Sequence, residues 1–466
     1  MSRVWPQNSC TVNASPSYTV YGTRWIVLAV CFLVTLSNST MWLGLSAVGK
    51  EADVFYCGPK KNCQAAFITN QIFQLVAIFA GVPGMYLTDK MGIRPALFMA
   101  VLFNLVGAII RTCSSLPSIQ NFLVRQSLLY TGSIIVAISQ SFFLVLPTKI
   151  AEGWFSEKQR SIANVLLFIS NPIGAAIGMS LPVMYFAGTT WKTARQITTT
   201  SNFLNFNIAI ALTALLSLLG MILVPTSLPP TPASQAHEVR SKKEVGFQES
   251  LRICLKDKEF IKLLFSGGAT YSIFWGFLII IPSLIPSKSS LSAGAVSAVM
   301  LMLGTVSALC LGDVMDKTKK FLGIFQCLVL SGAVVLVMTH FFLVFTGWKS
   351  VVSNILATLL FSSFSCCTIP LLPITFELGV EITFPAQEAT VTGLMVIAGN
   401  LILLLVYAAV ELLNSSNIYS PTGLASIDFL LVLILLTNIL VFVFMKPEYK
   451  RLKAESQPRT LFEQRY

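Results

Sequence analysis

The sequence predicts an all-α integral membrane protein with twelve transmembrane helices in two pseudo-symmetric six-helix halves. Three observations predict it: a composition too apolar for water, twelve apolar runs of membrane length, and a short charged loop that recurs in the second half. The chain is 55% hydrophobic and only 11% charged, with a mean hydropathy of +0.75. Soluble domains carry about 25% charged residues, so this composition excludes an ordinary water-facing globule.

The runs lie near 25–48, 66–88, 95–112, 119–146, 160–186, 203–225, 260–283, 292–312, 321–345, 351–374, 388–412 and 427–446. Each approaches or exceeds the roughly 20 residues that a hydrocarbon core of about 30 Å demands. Lipid offers the backbone no hydrogen bonds, so every run must be a helix. The expected organisation is a cytosolic N-terminal segment (1–24), a first half (25–225), a cytosolic linker (226–258), a second half (259–446) and a cytosolic tail (447–466). The tail is polar and expected to be disordered. Within it, Tyr449-Lys450-Arg451-Leu452 fits a tyrosine-based sorting signal, a pattern common by chance. The linker opens with Pro229-Pro230-Thr231-Pro232; Glu249 to Glu259 reads either as a short surface helix with Phe247, Leu251 and Leu255 on one side or as a solvated linker with a frayed helix, and the second is expected. The first 20 residues are polar and nearly uncharged, so the first span is expected to act as an uncleaved signal.

Basic residues orient the chain. With both termini cytosolic, 23 of the 32 Lys and Arg fall inside, 8 outside, and Arg125 within the fourth span. The net charge of +12 is therefore topological, and a nucleic-acid partner is excluded. The bilayer is the expected partner of a monomer. The plasma membrane is the expected location, with an endolysosomal membrane as the alternative.

The recurring loops are Asp89-Lys90-Met91-Gly92-Ile93-Arg94 in the first half and Asp316-Lys317-Thr318-Lys319-Lys320 in the second. Each lies between two apolar runs, the mark of a protein built from two similar halves. The pair resembles the charged loops after helices 2 and 8 of the major facilitator superfamily. That resemblance implies the major facilitator fold and an alternating-access carrier of small molecules. Asp89 and Arg94, like Asp316 and Lys317, are then expected to latch the cytosolic ends together; simple topology and helix capping is the plainer alternative.

Ten cysteines are scattered without metal-ligand spacing. Cys57 and Cys63 share the first outer loop, where an oxidising compartment would favour a small disulfide, with two unpaired thiols the alternative. Asn414-Ser415-Ser416 in the last outer loop is a glycosylation sequon, whereas Asn38-Ser39-Thr40 lies inside helix 1 and cannot be one. The two histidines, His237 and His340, are too few for a metal or haem-ligating pair. No nucleophile–base pair or phosphate-binding loop is present. An enzyme is therefore not expected, and no cofactor, catalytic residue or metal ligand is assigned.

Polar side chains at membrane depth are costly, so they carry the functional reading. They include Asn38 and Trp42 in helix 1; Asn70, Gln71 and Gln74 in helix 2; Gln140 in helix 4; Asn164 and Asn171 in helix 5; His340 in helix 9; and Asn400 in helix 11. Taken singly, each reads first as an interhelical hydrogen bond. Asn38, Gln74 and Asn171 are candidate cavity-lining groups. Glu411 and Asp428 fall near outer helix ends, leaving no acid or base at the midplane, which favours facilitated uniport over proton symport. An uncharged, aromatic cavity suits an organic cation, for which Trp is the best π partner. Of seven tryptophans, only Trp42 and Trp275 fall within spans, both somewhat outward of the midplane. They are the natural walls of such a cage, with generic helix packing the alternative.

The stretch from Phe376 to Gly393, FELGVEITFPAQEATVTG, resembles a signature of the feline leukaemia virus subgroup C receptor-related transporters, F-E-L-x-x-E-x-x-[YF]-P-x-x-E-x-x-x-x-G. Supporting matches are Arg24-Trp25, the N-x-x-x-W of Asn38 and Trp42, the Q-x(6)-P of Gln140 to Pro147, Trp154-Phe155, and Asp316-Lys317-Thr318-Lys319. The resemblance runs from about Tyr21 to Lys446. It implies a choline or ethanolamine carrier with Trp42 as one cage face and Gln140 at the substrate's polar end. The family's helix 7 tyrosine falls on Trp275, and its helix 11 glutamine on Asn400. The family's Asn-Gln pair in helix 5 appears as Asn171-Pro172. Those departures leave room for a different amine or a pyridoxine-like aromatic. Glu377, Glu381 and Glu388 lie at the inner face as gate or fold elements, and the first two are expected to pair with basic residues of helices 8 and 9 or the linker.

Three rivals remain. Haem export, long linked with the family, finds little support in one intramembrane histidine and cytosolic basic residues. A non-transporting membrane receptor, a role associated with the family through viruses, does not explain intact gating charges. An integral membrane enzyme is the weakest.

Overall fold

Twelve helices or helix pairs are long and apolar enough to cross a membrane, and each overlaps one expected run. They are seen in a computed structural model that describes residues 19–58, 63–186, 196–229, 231–234, 238, 245–285, 292–346, 348, 350–415 and 424–456. Trp5, Trp191, Pro230, His237, Arg240, Lys242 and Lys243 lie outside the described residues.

The first half comprises α1 (Arg24–Leu43), α2 (Gly49–Cys57), α3 (Ala65–Met91), α4 (Ile93–Ser114), α5 (Phe122–Phe143), α6 (Leu146–Trp154), α7 (Arg160–Phe186) and α8 (Gln196–Met221). A surface helix, α9 (Phe247–Lys256), leads into α10 (Lys258–Leu284), α11 (Ala293–Thr318), α12 (Phe321–Phe345), α13 (Val351–Thr368), α14 (Leu371–Thr383), α15 (Glu388–Ser415) and α16 (Leu424–Ile439). A last short helix, α17, spans Lys450–Ser456.

Three spans are broken, two of them at a proline. α6 opens with Pro147 in its first turn, and Pro370 precedes α14; neither can donate the amide that would continue the preceding helix. The first span breaks at Gly44, where a Cβ would lie 2.6 Å from the Phe206 ring. Freed carbonyls in a membrane need donors. Buried Arg111 of α4 supplies one, its Nη1 lying 2.9 Å from the Met41 carbonyl in the last turn of α1. The positive guanidinium also complements the negative C-terminal end of α1.

The spans containing α1, α7 and α10 are the most buried, and those of α8, α12 and α16 the least. The latter expose apolar rows such as Leu212, Leu216 and Leu219, or Val334, Met338 and Phe341. In water such rows would be liabilities; here they face lipid tails.

Both charged loops turn on a positive-φ residue at the same place in the repeat: Gly92 caps α3 at φ 85°, and Lys319 caps α11 at φ 53°. The two turns are not alike. Gly92 has ψ −178°, a conformation left almost entirely to glycine, whereas Lys319 has ψ 20° and sits in the left-handed helical region.

Two expectations about the cytosolic segments are corrected. The linker helix is not frayed: Phe247 packs on Tyr86 with ring centroids 5.2 Å apart, and Ser250 Oγ accepts from the Gln387 amide at 3.1 Å. Its buried face carries Ser250 and Cys254, while Leu255 is exposed. The tail is not disordered throughout, because α17 inserts Arg451 into a nest of buried carboxylates.

Candidate substrate site and cytosolic gate

Trp42 of α1 and Trp275 of α10 come from opposite halves and touch. Their ring centroids are 4.6 Å apart at an interplanar angle of 61°, and each residue is 1% exposed. Phe274 and Tyr271 flank Trp275 at 4.8 and 6.3 Å. A cation held by two ring faces sits within about 6 Å of each centroid, with its own bulk between them. Rings already in edge contact must therefore part to admit one. Neither indole N–H has a protein partner.

Asn400 of α15 is fully buried; its amide donates to the Val396 carbonyl at 2.8 Å, and Oδ1 has no protein partner. Its neighbour Gly399 brings α15 against α10: a Cβ there would lie 3.0 Å from the Tyr271 ring, which itself contacts Trp275. Gln140, in the last turn of α5, is 3% exposed with Oε1 unpartnered. Among the described residues no hydrogen bond or ring contact joins Gln140 to the other three.

The three candidate cavity-lining residues divide. Asn38 donates to Asn104 Oδ1 and the Val136 carbonyl at 3.1 and 2.9 Å, and Asn171 accepts from Ser39 at 2.9 Å. Both are engaged in packing within the first half. Gln74 of α3 is buried with neither amide atom in a hydrogen bond of ordinary geometry, lying against the Tyr407 hydroxyl of α15.

On the cytosolic side, Asp89 reaches across the halves. One carboxylate oxygen accepts from the Thr390 amide and hydroxyl at 3.0 and 2.6 Å, capping α15, while the other meets Lys149 at 2.8 Å. Asp316 does the reverse, accepting from the amides of Ser161 and Ile162 at 3.0 and 2.9 Å at the start of α7. Arg94 and Lys317 do not share these contacts. Arg94 is exposed and engages Ser227 only through its backbone amide, and Lys317 pairs with Asp313 on its own helix. The carboxylates alone meet the helix N-termini, where negative charge is favoured.

Glu377 and Glu381 are buried on α14, yet their partner is neither a helix 8 or 9 residue nor the linker. Arg451 of α17 pairs with Glu377, lies 2.6 Å from Glu381, and approaches Glu152 of α6 at 3.4 Å. Burial opposes charge on this guanidinium, but Glu381, Glu377, Glu152 and Glu455 outweigh it and hold the pKa well above its ordinary value. Arg160 of α7 meets Glu455 at 2.8 Å, and Asn164 donates to Glu377 at 3.2 Å. The tail helix thus bridges α6 and α7 of one half to α14 of the other. Tyr449 donates no such bond; its hydroxyl accepts from the Leu322 amide at 3.0 Å. Glu388 is buried in the first turn of α15. Sequence reasoning missed Arg451, Glu455, Glu152 and Arg160. The available signal was a buried glutamate pair without a cation, together with basic residues in the tail.

Of the remaining expectations, Cys57 and Cys63 are bonded. Asn414 lies in the last turn of α15, its side chain outside the described residues. His340 Nδ1 of α12 lies 2.8 Å from Asp428 Oδ1 of α16, a polar contact between helices.

Two six-helix halves that meet through a central aromatic pair and through capped helix ends define a membrane transport protein. The chain belongs to the Major Facilitator Superfamily, whose sequence profile matches residues 63–407. It is 27% identical to solute carrier family 49 member A3 of Danio rerio, over 96% of this chain and 92% of that protein. It is 24% identical to the choline/ethanolamine transporter flvcr2a of Danio rerio, covering 97% and 93% of the two chains. Among solved structures, the proton:xylose symporter XylE superposes with a TM-score of 0.69 at 14% identity, covering 92% of this chain and 98% of that one. The fucose:proton symporter FucP in its outward conformation gives 0.62 at 15% identity, covering 90% and 98%. At these identities the structures speak for the fold alone.

Proposed function

We propose that this protein is an alternating-access, facilitative uniporter of a small organic cation such as choline or ethanolamine. The observation that carries the reading is the Trp42–Trp275 contact, an aromatic pair with one ring from each half, buried at the centre of the bundle. Such a pair separates and rejoins when two halves rock, so it can open to one side, close on a cation and release it. Trp42, Trp275, Gln140 and Asn400 are all uncharged, so the site itself offers no titratable group to carry a coupled proton. The named activity of the choline/ethanolamine relatives supports the cargo class.

In the mechanism, the cytosolic ends stay shut while Asp89 and Asp316 cap helices of the opposite half and Arg451 bridges the two. Cargo binding from outside parts the tryptophans. Their reclosure over the cargo offsets the loss of the cytosolic contacts, and the inner side opens.

The test is uptake of labelled choline and ethanolamine into proteoliposomes containing the wild type, Trp42→Ala or Trp275→Ala. Saturable uptake that needs no sodium or proton gradient and is lost in both variants is the expected result. Absence of uptake of either amine by folded wild-type protein would sink the cargo class.

A further inference from the structure

Besides the tryptophan pair, the bundle holds more unpartnered hydrogen-bond acceptors than an aromatic cage requires. Gln74 Oε1, Gln140 Oε1, Asn400 Oδ1 and the Tyr407 hydroxyl are all buried and lack a hydrogen-bonding partner of ordinary geometry in the protein. They come from α3, α5 and α15, thus from both halves, and Gln74 faces Tyr407 across the boundary between them. Counting along the helices, Gln74 lies nine residues from the outer end of α3, and Trp275 nine from that of α10. With a helical rise of about 1.5 Å per residue, the two share a depth.

The chemistry of ammonium groups sorts on this feature. A quaternary ammonium has no N–H and is held by ring faces alone. A primary ammonium brings three N–H donors and is stable in a buried site only where acceptors meet them, because each unmet donor keeps its full desolvation penalty. A site built to hydrogen-bond its ligand rejects an analogue lacking the donors far more strongly than an apolar pocket rejects a methyl group. The contact between the two indoles, with ring centroids 4.6 Å apart, further disfavours a wide trimethylated head.

Building on the amine-carrier reading above, we propose that this site selects primary amino alcohols over their N-methylated counterparts. Gln74 and Tyr407 accept the ammonium N–H groups beside the tryptophans. Asn400 and Gln140 receive the alcohol deeper in the bundle. The tryptophans then serve as walls for a small cation, and the oxygens set its degree of methylation.

The experiment is competition against labelled ethanolamine uptake in proteoliposomes by ethanolamine, N-methylethanolamine, N,N-dimethylethanolamine and choline. Apparent affinity should fall with each methyl group, by at least tenfold across the series. Gln74→Leu and Tyr407→Phe should compress that ratio, with thermal melts confirming that each variant folds. Equal competition by all four compounds would overturn the selectivity while leaving amine transport intact, as would uptake of choline without ethanolamine. A uniform loss of affinity for all four in both variants would assign Gln74 and Tyr407 to packing and overturn their role. Failure of every amine to be transported would remove the amine-carrier reading and this inference together.

Discussion

Asp89 caps a helix that belongs to the other half of the molecule: its carboxylate receives both the amide and the hydroxyl of Thr390. The repeat-related Asp316 returns the contact by capping α7 at Ser161 and Ile162. The donors Ser161 and Thr390 are spaced along the chain almost as the acids Asp89 and Asp316 are, so the contact itself repeats. Each half therefore stabilises a helix end of the other, and neither contact survives if the halves part on the cytosolic side. The arrangement converts a local capping preference into a global equilibrium.

Asp89→Asn and Asp316→Asn should each shift that equilibrium toward the cytosol-open form. An asparagine keeps an acceptor but loses the charge that favours a helix N-terminus, and in Asp89→Asn also the Lys149 pair. A loss of about 1–2 kcal/mol is expected for either, a change of roughly 5–30-fold in the ratio of states. Because both carboxylates act on one opening, the double variant should show the sum. Accessibility of cytosolic-mouth cysteines to a membrane-impermeant maleimide, applied to inside-out vesicles, measures it. Unchanged labelling in both single variants would refute the latch.

Arg451→Ala should be among the most damaging single substitutions outside the bundle core. Removing one partner of a buried ion cluster leaves the other charges unpaired and costs about 3–5 kcal/mol. Here Glu377, Glu381 and Glu152 would all lose a cationic neighbour. If charge is the cause, Glu377→Gln combined with Glu381→Gln should restore much of the thermal stability that Arg451→Ala removes. A melting temperature in detergent unaffected by Arg451→Ala would mean that the tail helix is an incidental contact.

Helix positions were legible because hydropathy and length report directly on the lipid core, and the charged loops because their repetition shows itself in the chain. Trp42 and Trp275 were legible by depth along their helices, a count that needs no tertiary information. Asn38 shows the limit: the same depth argument made it a cavity candidate, yet it is spent on Asn104 and Val136. Which face of a helix a polar residue occupies depends on its neighbours, and an all-apolar helix carries little amphipathic signal to reveal it. Arg451 was hidden for another reason. Its carboxylates come from the distant helices α6 and α14, and nothing local in the tail announces a buried partner.

Cys254 should report the same gate through its chemistry. The thiol is buried on the inner face of α9, and burial, reinforced by Asp257, pushes its pKa from 9.0 up to about 12. Thiolate is the reactive form, so at pH 8 this shift alone slows alkylation by about a thousandfold. The linkage sign follows. A raised pKa in the folded state leaves stability untouched well below pH 9 and erodes it as pH climbs toward 12, where the unfolded thiol ionises first. In a protein with its other free cysteines replaced by serine, maleimide labelling at pH 8 should be slow for the wild type. It should accelerate in Asp89→Asn, because α9 rides on both Tyr86 of one half and Gln387 of the other. Labelling at the rate of an exposed thiol in the otherwise wild-type background would show that α9 is not docked, and would remove it from the cytosolic closure.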